Sequence, residues 1–284
     1  MSDLQVSSTS DWFSGSGKCR LFFRSLRPQR PRAVLAIVHG LGEHSGRYKA
    51  LAEALADHGL AYYSFDLRGH GESEGLRGDV QNFSDYLSDV DAFLKVVRQR
   101  EPSLRIFLMG HSLGGVIAVF YALAHQAELA GLIVASAPFQ LFSPPGPLSL
   151  AGARFLSAIA PRIKISNDLN PAQLSNDPAL PAEYLADPLI ERQVTVKWAT
   201  EFFSTYRRAA ERAGELLLPV LVLHGEVDEI ADVGGARAFY QGVRSMDKSL
   251  HTFPGLRHEL YSELPENRAD VFAILLSWLD ARLA

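Results

Sequence analysis

The chain has 284 residues, of which 47% are hydrophobic and 21% are charged, and its formal net charge is −4. These values are typical of a globular protein with a sizeable core, and the slight acidic excess argues against binding to nucleic acid. The sequence contains no run near the roughly 18 apolar residues that a membrane-spanning helix needs. The length favours one α/β domain that carries an insertion.

The first residues and the cysteine content bear on where the protein works. Residues 1–10 are polar and acidic, without the basic start and apolar centre of a secretory signal. We therefore expect a cytoplasmic protein. The single cysteine, Cys19, has no partner for an internal disulfide or for a thiolate zinc site.

Strand-like and helix-like segments alternate along most of the chain. Two short runs, around Trp12 and at 19–24, flank a glycine–serine turn and predict an antiparallel hairpin at a sheet edge. Apolar runs predict buried strands at 33–38, 61–65, 104–109, 132–135 and 220–223, and the run at 249–253 is also strand-like. Helical periodicity predicts helices at 48–58, 83–100, 113–125, 236–243 and 267–283. The alternation predicts an α/β fold with a mostly parallel central sheet and helices on both faces.

One interval, residues 138–218, breaks this alternation. It is far longer than the roughly 30 residues of a strand–helix–strand unit. It holds a proline-rich cluster at 144–147, an almost uncharged helical run at 148–160, an Asn/Asp/Pro-rich loop and a second helical pattern around Trp198. We therefore predict a mostly helical cap at 138–218 over a core formed by residues 1–137 and 219–284.

The motif Gly110-His111-Ser112-Leu113-Gly114 fits the pattern Gly-x-Ser-x-Gly. A predicted strand precedes it and a predicted helix follows it, as in the sharp turn that exposes a nucleophilic serine. Such a turn lifts the hydroxyl clear of the sheet at a helix N-terminus, which favours developing negative charge. A five-residue pattern also occurs by chance, so the flanking elements carry the prediction that Ser112 is the nucleophile.

A serine hydroxyl needs a base to take its proton. The order serine, acid, histidine of this architecture leaves the histidines after Ser112 as candidates; these are His125, His224, His251 and His258. His125 ends the helix that begins at the serine, His224 precedes the acidic cluster, and His251 falls in a predicted strand, pointing at sheet neighbours. His258 follows the last strand in a loop and is the predicted base; a solvent-exposed loop histidine is the alternative.

The acid that orients the base should follow the strand at 220–223. Three carboxylates do so, and Asp228 is preferred because the loop has turned back over the strand ends at that position. Glu226 and Glu229 remain alternatives, as does a solvated acidic loop without a catalytic role. The acid would keep His258 in the required tautomer and stabilise its charged form.

An acyl-transfer site also needs backbone donors for the oxyanion. One is expected to be the amide of Leu113, directly after the nucleophile. The other is expected to be the amide of Leu41, in the segment His39-Gly40-Leu41-Gly42 after the strand at 33–38. The two glycines let this backbone approach a substrate, and His39 is expected to position the loop.

Taken together, these motifs resemble the α/β-hydrolase superfamily over nearly the whole chain and, within it, the monoacylglycerol lipase and lysophospholipase group. The matching residues are 39–48, 66–73, 110–115, 176–178, 187–189, 224–228 and 258–259. The resemblance implies hydrolysis of a monoacylated glycerol or similar lipid ester, without a cofactor, beneath a movable cap. It also implies that Glu43 and Arg47 lie near the site, where they structure the loop or face the polar head; a surface ion pair is the alternative.

The same triad would equally serve a lysophospholipase, a broad esterase, a peptidase or an acyltransferase. A non-catalytic ligand-binding scaffold is a further alternative, but the complete triad argues against it. The apolar run at 148–160, flanked by Arg162 and Lys164, predicts transient contact of the cap with a membrane surface, against the alternative that it packs on the core. Acyl-chain length, head-group preference and oligomeric state cannot be read from the sequence.

Overall fold

The computed structural model describes residues 6–283. Residues 1–5 and 284 lie outside the described residues. Both parts belong to the predicted core, and residues 1–5 also belong to the stretch from which the location was predicted. Within 6–283 the strands are β1 Val6–Ser14, β2 Arg20–Pro28, β3 Ala33–Val38, β4 Leu60–Phe65, β5 Arg105–His111, β6 Gly131–Ala135, β7 Lys164–Ser166, β8 Gln193–Thr195, β9 Val220–Gly225 and β10 Lys248–Phe253. The α-helices of the same span are α1 Lys49–Asp57, α2 Phe83–Arg100, α3 Leu113–His125, α4 Pro147–Ile159, α5 Leu180–Ala186, α6 Val196–Glu211, α7 Val233–Gly242 and α8 Pro265–Asp280.

Eight strands form the central sheet in the order β1-β2-β4-β3-β5-β6-β9-β10. Strands β4, β3, β5, β6, β9 and β10 pair in parallel, whereas β1 and β2 form an antiparallel hairpin at one edge. The predicted parallel sheet and edge hairpin are confirmed. Because the six parallel strands of the central sheet run the same way, the loops that follow them meet along one edge of the sheet.

Helices cover both faces of this sheet, as predicted. One face packs against α2, α3, α6 and α7, and the other packs against α1 and α8. Every residue of β3 and β9 is buried, which explains why these strands show as continuous apolar runs. The edge strand β10 is less covered, and the side chain of His251 on it is exposed rather than directed at sheet neighbours.

The segment predicted as the cap contains more regular structure than the sequence indicated. The region predicted as an Asn/Asp/Pro-rich loop includes the helix α5 and the strand β7, which pairs with β8 in a small antiparallel sheet. Helix α6 packs into the core beside α2 and α3, and Trp198 Nε1 donates to Tyr86 Oη on α2 at 3.0 Å. The limits of the cap at 138 and 218 stay a prediction.

Helix α4 differs from the rest of this segment because none of its residues is buried. Its large apolar side chains Leu148, Phe155 and Ile159 are 87%, 70% and 65% exposed. Among the described residues, no helix is both long enough and apolar enough to cross a membrane.

Candidate active site

The backbone at Ser112 is bent sharply between β5 and α3. Ser112 is the N-cap residue of α3 and has φ 51° and ψ −122°, a conformation that L-residues rarely adopt. The two glycines of the motif are required here, because a Cβ on Gly110 would overlap the carbonyl of Gly114, and one on Gly114 would overlap the carbonyls of Val38 and His39. The predicted turn is therefore present, with the serine at a helix N-terminus.

Asp228 and His258 form a direct pair in the loops after β9 and β10. His258 Nδ1 lies 2.7 Å from Asp228 Oδ2, and both side chains are buried. The other carboxylate oxygen accepts the N–H groups of Ile230 at 2.8 Å and Ala231 at 3.0 Å. The alternatives Glu226 and Glu229 are exposed and bond elsewhere, to Thr252 and Gln173.

This pairing sets the proton affinities of both groups. Burial opposes a charge on the ring of His258, but the Asp228 carboxylate outweighs it, so the pKa of His258 lies above its usual value. Burial also opposes the charge on Asp228, yet His258 and His224 hold the pKa of Asp228 well below its usual range. The aspartate therefore stays ionised and favours a proton on the histidine ring.

One pocket brings the predicted nucleophile and base together. Ser112, His258, Gly40 and Leu41 all line it. Within residues 6–283 the hydroxyl of Ser112 has no hydrogen-bond partner, so the structure places serine and histidine at one pocket without joining them. Such contacts often form only when substrate is bound.

The two predicted oxyanion donors flank the same serine. The segment with Leu41 passes close to it, since a Cβ on Gly40 would lie 3.1 Å from the Ser112 Cβ. In the described part of the chain, the N–H groups of Leu41 and Leu113 have no hydrogen-bond acceptor. Both amides are thus free to bind a developing oxyanion, as such a site requires.

Glu43 and Arg47 are not a surface ion pair. Glu43 Oε1 accepts the N–H of Gly40 at 2.5 Å and the hydroxyl of Tyr48 at 2.8 Å, which fixes the loop that carries Leu41. Arg47 lies 3.7 Å from Glu43 and donates to Glu259 Oε2 at 2.7 Å. Because Glu259 follows His258 directly, Arg47 links the two loops that flank the pocket.

The pKa values of the two carboxyl groups in this network, Glu43 and Glu259, are shifted in opposite directions. Burial and the nearby charge of Glu259 raise the pKa of Glu43 above its usual range. Burial works the same way on Glu259, but Arg47 outweighs it and lowers the pKa of Glu259. One guanidinium is therefore shared unequally between two buried carboxyl groups.

The remaining predicted residues have structural contacts, and a few pocket residues were missed. His39 Nε2 accepts the N–H of Leu67 at 2.8 Å, consistent with the predicted positioning of its loop. The pocket is also lined by Glu259, His111 and Tyr184, which the sequence did not single out as site residues. The dipeptide His258-Glu259 and the position of His111 beside the serine were the available signals, whereas Tyr184 in α5 had none.

Comparisons with known proteins agree with this architecture. The model of a hydrolase family described as serine aminopeptidase, S33, matches residues 29–265. Monoacylglycerol lipase of Mycolicibacterium smegmatis is 31% identical over 273 residues, covering 95% of this chain and 96% of the relative. Monoglyceride lipase of Homo sapiens is 32% identical over 268 residues, covering 93% of this chain and 88% of the relative. The crystal structure of Paleococcus ferrophilus monoacylglycerol lipase has a TM-score of 0.81 at 29% identity, covering 98% of this chain and all of that one.

The family match includes the serine turn and both loops that flank the pocket. The relatives align over almost the full chain, so the similarity includes both the predicted core and the predicted cap. The chain therefore belongs to the serine aminopeptidase S33 family of α/β-hydrolases and, within it, to the monoacylglycerol lipase-like group of serine hydrolases that cleave carboxylic esters.

Proposed function

We propose that the protein is a monoacylglycerol lipase that releases a fatty acid and glycerol through an acyl-enzyme on Ser112. The observation that carries this proposal is the pocket in which Ser112 and His258 lie beside the buried polar residues Glu43 and Glu259. An ester with a polar head group needs a nucleophile with its base and polar side chains that bind the head group. This pocket has both. The similarity to two monoacylglycerol lipases supports the same substrate.

The proposed reaction needs two half-reactions. Ser112 Oγ attacks the ester carbonyl while His258 takes its proton, and the amides of Leu41 and Leu113 bind the oxyanion. His258 then gives that proton to the glycerol oxygen as the C–O bond breaks, leaving the acyl group on Ser112. A water loses a proton to His258 and attacks the acyl-enzyme, and the fatty acid leaves as the proton returns to Ser112. Asp228 holds the histidine tautomer throughout.

The charged residues Glu43, Arg47 and Glu259 beside the pocket favour an ester of a neutral alcohol over one that carries a phosphodiester. Arg47 is the cation of the network, and its guanidinium is already engaged by Glu43 and Glu259. A phosphate placed there would face two carboxyl groups and compete for one guanidinium, whereas hydroxyl groups can donate to carboxylates. We therefore infer a preference for glycerol monoesters over lysophospholipids.

The nucleophile is tested by labelling with a fluorophosphonate probe. We expect the wild-type protein to be labelled and Ser112→Ala to be neither labelled nor active. Ser84→Ala is a matched control, because Ser84 is also at a helix start but is exposed on α2. A wild-type chain that stays unlabelled would contradict the hydrolase mechanism, and labelled Ser112→Ala would move the nucleophile elsewhere.

The substrate is tested by comparing kcat/KM for monoacylglycerols of graded chain length, a lysophosphatidylcholine and an aminoacyl anilide. We expect the glycerol monoesters to be turned over at least tenfold faster than the lysophospholipid. A faster reaction with the lysophospholipid or with the anilide would favour the phospholipase or peptidase alternative.

We also propose that the exposed face of α4 touches a lipid surface, which would make the protein peripheral to a membrane. Leu148, Phe155 and Ile159 form an apolar stripe, and the exposed basic residues Arg154, Arg162 and Lys164 accompany it. The stripe supports the lipid-facing interpretation over packing against the core, because no residue of α4 is buried.

Cosedimentation with vesicles tests this contact. We expect the Leu148→Ser, Phe155→Ser double variant to bind phosphatidylcholine–phosphatidylglycerol vesicles several-fold more weakly than the wild type. Met246→Ser is the control, because Met246 is fully exposed in the loop before β10. Equal binding by all three proteins would exclude α4 as the contact surface.

A further inference from the structure

A second histidine contacts Asp228 from the side of the sheet. His224 lies in β9, four residues before Asp228, and is completely buried. Its Nε2 atom is 2.9 Å from the carbonyl oxygen of Ala231 and 3.2 Å from Asp228 Oδ2. Its Nδ1 atom is buried and has no hydrogen-bond partner among residues 6–283.

These neighbours identify the ring nitrogen that carries the proton. A carbonyl and a carboxylate oxygen can only accept a hydrogen bond, so the ring nitrogen beside them, Nε2, must carry the proton. A proton on Nδ1 would have no acceptor in the described surroundings, and a buried donor without a partner is costly. His224 therefore has its proton on Nε2, which donates to Ala231 and lies close to Asp228.

The contacts close a ring around the aspartate. The N–H of Ala231 donates to Asp228 Oδ1, while the carbonyl of Ala231 accepts from His224. The Nε2 atom of His224 also lies 3.2 Å from Oδ2, the oxygen that contacts His258 Nδ1. The two carboxylate oxygens thus become distinct: Oδ1 is bound to the backbone of its own loop, and Oδ2 lies between two imidazole rings.

We propose that His224 is a positioning residue for the Asp228–His258 pair, which locks the rotation of the carboxylate and shares the charge on Oδ2. The inference rests on the proposed catalytic role of Asp228 and His258. Without the His224 N–H, the carboxylate could rotate about its contact with His258 and orient the ring less well, and more of the charge on Oδ2 would act on the remaining histidine. Both effects would reach the reaction only through His258.

The test compares His224→Leu, which has no donor, with His224→Gln, whose amide N–H can reach the same oxygen. We expect His224→Leu to lower kcat about tenfold or more with little change in KM. Its acid limb in kcat/KM against pH should move to higher pH, because the less shared charge on Oδ2 holds a proton on His258 more strongly. His224→Gln should restore most of kcat and the wild-type limb.

Other titratable groups act on His258 equally in each variant. They are His111, whose ring centroid is 5.0 Å from that of His258, and the carboxyl groups of Glu43 and Glu259. A shift confined to His224→Leu would therefore come from the lost N–H. An unmoved pH profile, or equal losses in the leucine and glutamine variants, would show a merely structural role and overturn the proposal.

Two measurements keep this outcome separate from that of the proposed mechanism and from misfolding. Full activity in Asp228→Asn would refute the triad itself, whereas loss there with wild-type behaviour in His224→Leu would refute only the role of His224. If His224→Leu does not fold, ¹⁵N NMR of the wild-type histidines decides, because we expect His224 to be protonated at Nε2 and bare at Nδ1. The opposite tautomer would overturn the proposal.

Discussion

Ser112, Asp228 and His258 come from three loops that follow parallel strands, and backbone groups hold the first two. The serine is fixed by the turn into α3, and the aspartate by the N–H groups of Ile230 and Ala231. His258 is the member with the fewest constraints of its own, since it depends on Asp228 for its orientation. The backbone therefore fixes Asp228, and Asp228 in turn orients the base His258.

Asp228→Asn tests that dependence through the pH profile. The base must be neutral to act, so activity falls as pH drops below the pKa of His258, which Asp228 raises above its usual value of about 6.5. Removing the charge should lower that pKa and move the acid limb of kcat/KM to lower pH. We expect kcat to fall by about 10³ to 10⁴, because the amide can favour the wrong tautomer of the ring.

The control for this variant is Glu226→Gln, which neutralises a nearby exposed carboxylate that does not contact His258. It should leave the limb and kcat within about twofold of the wild type. An acid limb in Asp228→Asn that stays in place would mean that another group sets the pKa of the base.

At the scale of elements, the accuracy of the sequence prediction follows burial and local capping. Strand β3 has the predicted limits because it is apolar throughout and buried between two parallel neighbours. Helix α2 also has its predicted limits, since Asn82 and Asp85 form a capping box at its start. The short strands β7 and β8 were missed, because three residues are too few to show a period, and all residues of β7 are exposed.

In the candidate site, too, some features could be predicted from local sequence and others could not. The Gly-x-Ser-x-Gly motif with its flanking elements sufficed to choose Ser112, and chain order with loop position sufficed to choose Asp228 and His258. Their catalytic roles stay a prediction. The contact between Arg47 and Glu259 joins residues 212 positions apart. Such a contact depends on how two loops pack in three dimensions, and neither residue alone indicates it.

Thr195 lies where β8 ends and α6 begins, and its contacts lead to a prediction about stability. Its side chain caps α6 by accepting the N–H of Trp198 at 3.0 Å, and it donates to the buried carboxylate of Asp79. Thr195→Val keeps the shape but removes both bonds, and we expect the free energy of unfolding to fall by about 2 kcal/mol. Urea denaturation measures the change.

Thr195→Ser provides the matched control, because it retains the hydroxyl and loses one methyl group. It should retain clearly more stability than the valine variant. If valine proves as stable as serine at this position, the hydroxyl is not what secures the start of α6.

Within the predicted cap, residues 138–218, several positions form hydrogen bonds to core loops beside the pocket, whereas α4 forms none of these bonds. Glu191 donates its N–H to Gly42 at 2.8 Å, and Thr195 donates to Gly78 at 2.9 Å. The carbonyl of Leu174 accepts the N–H of Glu259 at 2.7 Å. Helix α4 packs mainly against α6 and buries none of its residues. We therefore expect α4 to open without the rest of the segment.

Limited proteolysis with trypsin tests this uneven stability. A site is cut quickly when local opening exposes the backbone at little cost in free energy, so the first cleavage should follow Arg154 in α4 or Arg162 after it. The nicked protein should keep its thermal midpoint and its labelling at Ser112, because both core layers and the three site loops stay intact. Arg154→Gln together with Arg162→Gln should slow the first cut at least fivefold without altering stability. A first cut within α2 or α8, or unfolding at the moment of nicking, would show that α4 belongs to the same cooperative unit as the core.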